Sequence, residues 1–310
     1  MNKVPNIRFM ANLKKYLIIS GIIMAVIVAA CFVRGINLDI QFRGGAILTY
    51  SYEGVLDQKL FTDIADEVVG VTTTLQLSEN ISTDQQTVVV SLPGTQSLNA
   101  DEMVEMNERL FAAFAGNNLQ TLNVSNVDPT IGNEFLWKCL VAMVVASVLM
   151  MTYVAFRFRK IGGLSAGAMA VVALVHDVLV AFGVFVIFQI PVNDNFIAVV
   201  LTILGFSLND TIVIYDRIRE NERLIGKAMP LGDLVDLSTN QSFQRSLVTS
   251  GTTVISMVVV TVVALIYNVD SIMSFSFPLI VGLISGSYSS ICLAGPLWVK
   301  WQERKAAKQA

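Results

Sequence analysis

Charge is scarce in this chain. Only 15% of its 310 residues are Asp, Glu, Lys or Arg, against 54% hydrophobic, and the mean hydropathy is +0.63. A soluble domain carries about 25% charged residues, so composition points to a polytopic membrane protein with room for one soluble domain. The net charge of −3 gives no basis for binding nucleic acid. Histidine occurs once, at His176, and cysteine three times, at Cys31, Cys139 and Cys292, all within apolar runs. No CxxC or metal-ligand spacing is present, which argues against a disulfide framework or a zinc site. No GxxxxGK[ST] loop occurs, so ATP is not expected to drive anything in this chain.

What the chain does have is long apolar runs. Spanning lengths occur at about Tyr16–Val33, Leu136–Phe156, Gly162–Ile190, Phe196–Tyr215, Leu247–Tyr267 and Ile272–Val299. The third and sixth are long enough to tilt or to project. Basic residues cluster at Lys3, Arg8, Lys14 and Lys15, at Arg157, Arg159 and Lys160, at Arg217, Arg219, Arg223, Lys227 and Arg245, and at Lys300, Arg304, Lys305 and Lys308. Six spans put all four clusters on one side. The positive-inside rule makes that side cytoplasmic, with both termini there. The run Val28-Ala29-Ala30-Cys31 also has the look of a lipoprotein processing site, but the reading preferred is an uncleaved first span.

The expected organisation is a cytoplasmic N-terminus and first span (1–33), an extracytoplasmic α+β domain (34–135), a bundle of five further spans (136–299) with a cytoplasmic loop at 216–244, and a basic tail (300–310). The outside domain is rich in acids and poor in bases, which does not prevent its translocation. Gly45–Tyr52 alternates like a strand, Leu56–Val69 has helical spacing, Thr72–Leu77 alternates again, and Thr87–Leu92 is a β-branched run closed by Pro93-Gly94. Asn99 or Asp101 is placed to cap a helix through Ala115, and Thr121–Val127 returns as a strand. The βαββαβ order is the ferredoxin-like pattern. With no clustered His, Cys or Ser-His set, a binding, mechanical or purely assembling role outranks an enzymatic one. Gly44-Gly45, just after the first span, suits a tight turn or a close backbone approach.

The chemistry lies in the membrane. The third span carries His176-Asp177 and the fourth carries Asn209-Asp210. A carboxylate at mid-bilayer costs roughly 2.5–3.5 kcal/mol and is by default a functional hypothesis. On the fifth span Arg245, Thr249, Thr252, Thr253 and Ser256 share one helical face, starting at the cytoplasmic end. Asp210 is therefore expected to meet Arg245 across the bundle. Desolvation opposes the charged carboxylate and a nearby guanidinium favours it. A carboxyl held between those two influences takes up a proton when the helices part and releases it when they close. The plainer alternative is a static buried pair that sets helix register. The Thr/Ser stripe reads first as interhelical glue. Asp216, Arg217, Arg219 and Glu220 read as a solvated helix end, and Glu222–Gln244 as a partly amphipathic loop. Gly282, Gly286 and Ser290, at four-residue spacing on the sixth span, permit close packing or sliding, and Pro278 would kink that helix.

The residues GFSLNDTIVIYDRIREN (Gly205–Asn221) resemble the fourth-span signature of the SecF family, the smaller half of SecDF. LVHDVLVAFGVF (Leu174–Phe185), NQSFQRSLVTSGTT (Asn240–Thr253) and SGSYSSI (Ser285–Ile291) extend the resemblance over essentially the whole chain. The chain departs from the family where an Asp-Phe normally precedes the double glycine: Asp39 and Phe42 are separated by Ile40-Gln41, so an altered turn is expected. The resemblance implies an RND-superfamily fold in the bacterial plasma membrane. It implies action with SecD and the SecYEG channel on an unfolded polypeptide in transit. It also implies protons as coupling ion, no other cofactor, and Asp210 and Arg245 as the proton relay. Two other classes stand beside it: an RND-type half-transporter for lipids or small molecules, and an intramembrane aspartyl protease using Asp177 and Asp210. The protease lacks a GxGD-type motif, and its two aspartates fall at different depths.

Overall fold

A computed structural model describes residues 6–80, 85–92, 98–159, 162–267 and 269–308. Lys3, Asp84, Pro93-Gly94 and Lys160 lie outside the described residues. Helix α1 (Phe9–Arg34) leads through a short α2 (Ile40–Arg43) into strand β1 (Gly45–Tyr52). Then follow α3 (Gln58–Val69), β2 (Thr74–Asn80), β3 (Gln85–Ser91), α4 (Ala100–Ala113) and β4 (Gln120–Val127). The chain closes with α5 (Pro129–Arg157), α6 (Gly163–Ile187), α7 (Asp194–Ile225), α8 (Leu231–Ile266), α9 (Asp270–Ser289), a π-helical turn (Ser290–Ala294) and α10 (Gly295–Ala307).

The small domain is a four-stranded antiparallel sheet in the order β2-β3-β1-β4 with α3 and α4 packed together on it. Its core comprises Leu48, Tyr50, Phe61, Val88, Val90, Met106 and Leu110. Local chemistry sets the helix starts. Asp57 accepts from the Lys59 and Leu60 amides. Asn99, rather than Asp101, caps α4 in a reciprocal box with Glu102, satisfying donors a helix N-terminus leaves unpaired.

Among the described residues, six apolar helices are long enough to span a membrane, with α9 and α10 forming one. The spanning windows of α6, α7 and α9–α10 are more than half buried and form the centre of the bundle. Those of α1, α5 and α8 are peripheral. Small residues set the central spacing. A Cβ at Gly282 would stand 2.0 Å from Ile203 Cδ1, and one at Gly286 would stand 3.1 Å from Ser207 Cβ. Pro278 sits inside α9 without ending it.

Two regions differ from expectation. The stretch 216–244 is not a loop. Helix α7 runs on to Ile225, α8 starts at Leu231, and only the short turn between them is not α-helical. The projecting turns are held by each other: Asn221 Nδ2 donates to Ser238 Oγ (2.8 Å) and Gln241 Oε1 (2.8 Å), and Arg217 Nε donates to Gln241 Oε1 (2.6 Å). Arg157 and Arg219 both pair with Asp216, at 3.0 and 2.8 Å, so this charged end is a cross-braced helical stem. The second region precedes the double glycine. Ile40 and Gln41, which separate Asp39 from Phe42, form the first half of α2, capped by Asp39 through the Gln41 amide (3.0 Å). Asp39 N and Val192 O pair at 3.1 Å, tying this segment to the α6–α7 connection. Gly44 ends α2 at φ 78°, which suits glycine. A Cβ on Gly132 of α5 would come within 2.9 Å of the Gly44 nitrogen, so the double glycine lies where two backbones meet.

Candidate functional site

Asp210 is buried on α7 at 5% exposure. Ser250 Oγ, on α8, donates to its Oδ2 at 2.8 Å. Arg245 is exposed and makes no ion pair with Asp210. The expected direct contact is thus replaced by Ser250, five residues further along α8. At about 1.5 Å per residue that is about 7.5 Å deeper. Arg245 instead lines a cleft of about 870 Å³ with Asp216, Arg219, Glu222, Arg223 and Gln241.

The other sequence candidates divide. Asn209 is exposed, because it precedes Asp210 by one residue and so sits about 100° round the helix. The α8 stripe does not glue helices within this chain. Thr252 and Thr253 donate to Thr249 O at 2.9 and 3.0 Å, and Ser256 to Thr252 O at 2.9 Å, so the hydroxyls return to their own backbone. Thr252 and Ser256 are exposed and Thr249 is half-buried. Gly282, Gly286 and Ser290 all face α7, with Ser290 Oγ donating to Ser207 O at 3.0 Å.

The most heavily bonded carboxyl is Asp177. It has no exposed surface. Ser207 of α7 and Ser289 of α9 each donate to Oδ2 at 2.7 Å, and Ser285 of α9 donates to Oδ1 at 2.8 Å. His176 Nδ1 lies 3.2 Å from the same Oδ1. His176 Nε2 is buried with no hydrogen-bond partner among the described residues, and the ring packs on Tyr288 at 6.0 Å. Ser207 also faces Ser290 Oγ at 3.4 Å, and Thr211 Oγ1 donates to Ser290 Oγ at 2.9 Å. Ser207, Ser250, Ser285 and Ser289 are functional candidates that sequence reasoning missed. Ser285 and Ser289 stand at i and i+4, a spacing that puts two hydroxyls on one helical face. Their target on α6 is separated from them by more than 100 residues.

Hydrogen bonds to a charged group are worth about 1.5–3 kcal/mol each, enough to make a buried carboxyl tolerable where apolar surroundings alone would not. Asp177 and Asp210 share no hydrogen bond. Measured from the end of the bundle next to the small domain, Asp177 lies ten residues into α6 and Asp210 sixteen into α7. At about 1.5 Å per residue they stand roughly 9 Å apart in depth. They are not a carboxyl pair sharing one proton.

A multi-pass bundle whose central helices carry buried, hydroxyl-bonded carboxyls is a membrane protein of the transporter class, since ionisable groups at that depth mark ion or substrate pathways. Residues 107–304 match the family model described as protein export membrane protein SecD/SecF, C-terminal. The chain is 34% identical to the protein translocase subunit SecF of Sebaldella termitidis, over 94% of this chain and 91% of that one. It is 32% identical to SecDF of Bacillus subtilis, covering 97% of this chain and 39% of the longer protein. The crystal structure of SecDF, a translocon-associated membrane protein from Thermus thermophilus, superposes with a TM-score of 0.78 at 28% identity, over 98% of this chain and 40% of that one. The chain belongs to the SecD/SecF family of protein-export membrane proteins. It is a SecF-type subunit of the Sec export machinery and a multi-pass protein of the bacterial inner membrane.

Proposed function

We propose that this subunit couples the proton motive force to movement of a secreted polypeptide, working with a separate SecD chain beside the SecYEG channel. Asp210 is the proton carrier and Arg245 its charge partner. The observation that carries this reading is Asp210 itself: buried on α7 and held by one hydroxyl of α8, with the Arg245 cation five residues before that hydroxyl on the same helix. Burial disfavours a charged carboxyl, while hydrogen bonds to it and a nearby cation favour the charge. A shift of α8 along α7 changes that balance, and so changes whether the carboxyl holds a proton. One charge crossing 100 mV is worth roughly 2.3 kcal/mol, so a few protons supply enough to move a small domain against a substrate chain.

The basic clusters support termini and helical stem on the cytoplasmic side, with residues 34–135 outside. The βαββαβ order and the β2-β3-β1-β4 sheet support a ferredoxin-like reading of that outside domain. Its role is to hold or push the emerging polypeptide. The test is export of a secreted reporter in cells whose own copy is replaced by Asp210→Asn, with recovery of SecD alongside the subunit as the control. Export at the deletion level with the complex intact supports the reading. Normal export refutes it.

A further inference from the structure

Asp177 has no part in the relay just described, yet it is the most completely buried carboxyl of the site. A static role would ask only for a polar knot between α6, α7 and α9. Two features go beyond that. The first is the neighbouring imidazole, whose Nδ1 faces Asp177 while its Nε2 is buried without a partner among the described residues. The second is Ser207. Its hydroxyl donates to Asp177 Oδ2, and the same residue lines a cavity of about 10 Å³ whose other wall includes Asp210 and Ser250. That is the room of about one water molecule in a polar setting. Ser207 precedes Asp210 by three residues, so the two lie on neighbouring positions of one helix face. Gly286 lies opposite Ser207: an added Cβ there would stand 3.1 Å from Ser207 Cβ and 3.6 Å from Asp177 Oδ2. The glycine thus leaves the hydroxyl room to turn.

We propose that Asp177 is a second proton-binding carboxyl, loaded from Asp210 through the cavity and Ser207. This rests on the reading of Asp210 as proton carrier. The step balances. The Asp210 O–H bond breaks as its proton passes to a water molecule. That water gives a proton to Ser207 Oγ, and Ser207 gives its own proton to Asp177 Oδ2. The negative charge moves from Asp177 to Asp210, and every electron pair stays on its oxygen. The roughly 9 Å difference in depth makes this a displacement of charge along the bundle axis. The groups facing Asp177 are His176 on α6, Ser207 on α7, and Ser285 and Ser289 on α9. Tyr288 of α9 lies behind the imidazole, itself bonded to Tyr16 O of α1 at 2.8 Å.

Three serines hold Asp177, but only Ser207 also borders the cavity, and this separates a relay from a knot. The experiment measures pulse-chase export of a reporter in cells carrying Asp177→Asn, Asp177→Glu, Ser207→Ala, Ser289→Ala or Asp210→Asn as the sole copy. Recovery of the SecD complex and its thermal stability are measured in parallel. Asparagine can keep the hydroxyl contacts, since serines both donate and accept, but it cannot carry the proton. Asp177→Asn is expected to stop proton-driven export with the complex intact, and Asp177→Glu to restore part of it. Ser207→Ala and Ser289→Ala each remove one hydrogen bond to Asp177, a loss of about tenfold, but only Ser207→Ala also interrupts the path from the cavity, so its export is expected to fall clearly below that of Ser289→Ala. Normal export by Asp177→Asn, or equal losses in the two serine variants, overturns the proposal while leaving Asp210 as carrier. If Asp177→Asn fails to assemble, the serine comparison decides alone. Normal export by Asp210→Asn refutes the underlying reading instead.

Discussion

At Gly282, the packing of α9 against α7 depends on a missing methyl group. A Cβ built on Gly282 would lie 2.0 Å from Ile203 Cδ1 and 2.8 Å from Cγ1. Ile203 has no exposed surface and packs among Ala181, Val199, Leu279 and Leu283, and the cavity it borders has room for only about one water molecule. Gly282→Ala should therefore overpack the seam, at a cost of about 1–3 kcal/mol. The cause is testable because both clashing atoms belong to one side chain. Ile203→Ala alone should cost about 2–5 kcal/mol through the cavity it leaves. Adding Gly282→Ala to it should cost almost nothing further, or return part of the loss. Ile203→Val removes only Cδ1, leaves the 2.8 Å contact and should relieve the clash in part. The assay is reversible unfolding of the purified chain in mixed micelles, read as a double-mutant cycle. A coupling of about 0.5–3 kcal/mol is expected for residues in contact. Additive penalties would show that Ile203 does not oppose a side chain at 282, and would refute the argument that this glycine sets the helix spacing.

Two further outcomes concern the small domain. Tyr50 is buried, its hydroxyl donating to Asn107 Oδ1 at 2.9 Å, and burial pushes its phenol above the ordinary value. A raised value in the fold means that the stabilisation is complete below about pH 10 and is lost as pH rises beyond it. In an absorbance titration of the full chain, Tyr50 should ionise only as the domain opens. Tyr50→Phe should cost about 0.5–1.5 kcal/mol and remove that component from the titration. Asn99→Ala should destabilise the domain by about 1 kcal/mol through loss of the α4 capping box, while Asn99→Ser should restore most of it. Rates of limited proteolysis between Leu98 and Ala113 would show a cap of no consequence if the Ala variant matched the parent.

The membrane spans were legible because a bilayer accepts only long apolar helices, whatever packs beside them. The order of elements in the small domain was legible because alternation and helical spacing are local. Asp210 stood out for the same reason: a carboxyl in a spanning run is costly wherever it lies. Which side chain it meets is a different kind of question. Ser250 and Arg245 both sit on α8, and the choice between them depends on how far α8 slides along α7. One residue of shift turns a helix by about 100°. That is why Asn209 is exposed beside a buried Asp210, and why the α8 stripe bonds its own backbone. The Asp177 cluster draws on α6, α7 and α9, which approach only because Gly282 and Gly286 are small. The sequence by itself determined the spans, the domain order and the costly carboxyls, each through a local energy. Only the tertiary structure decided which hydroxyls hold those carboxyls, because that follows from the rotation and spacing of helices distant in sequence.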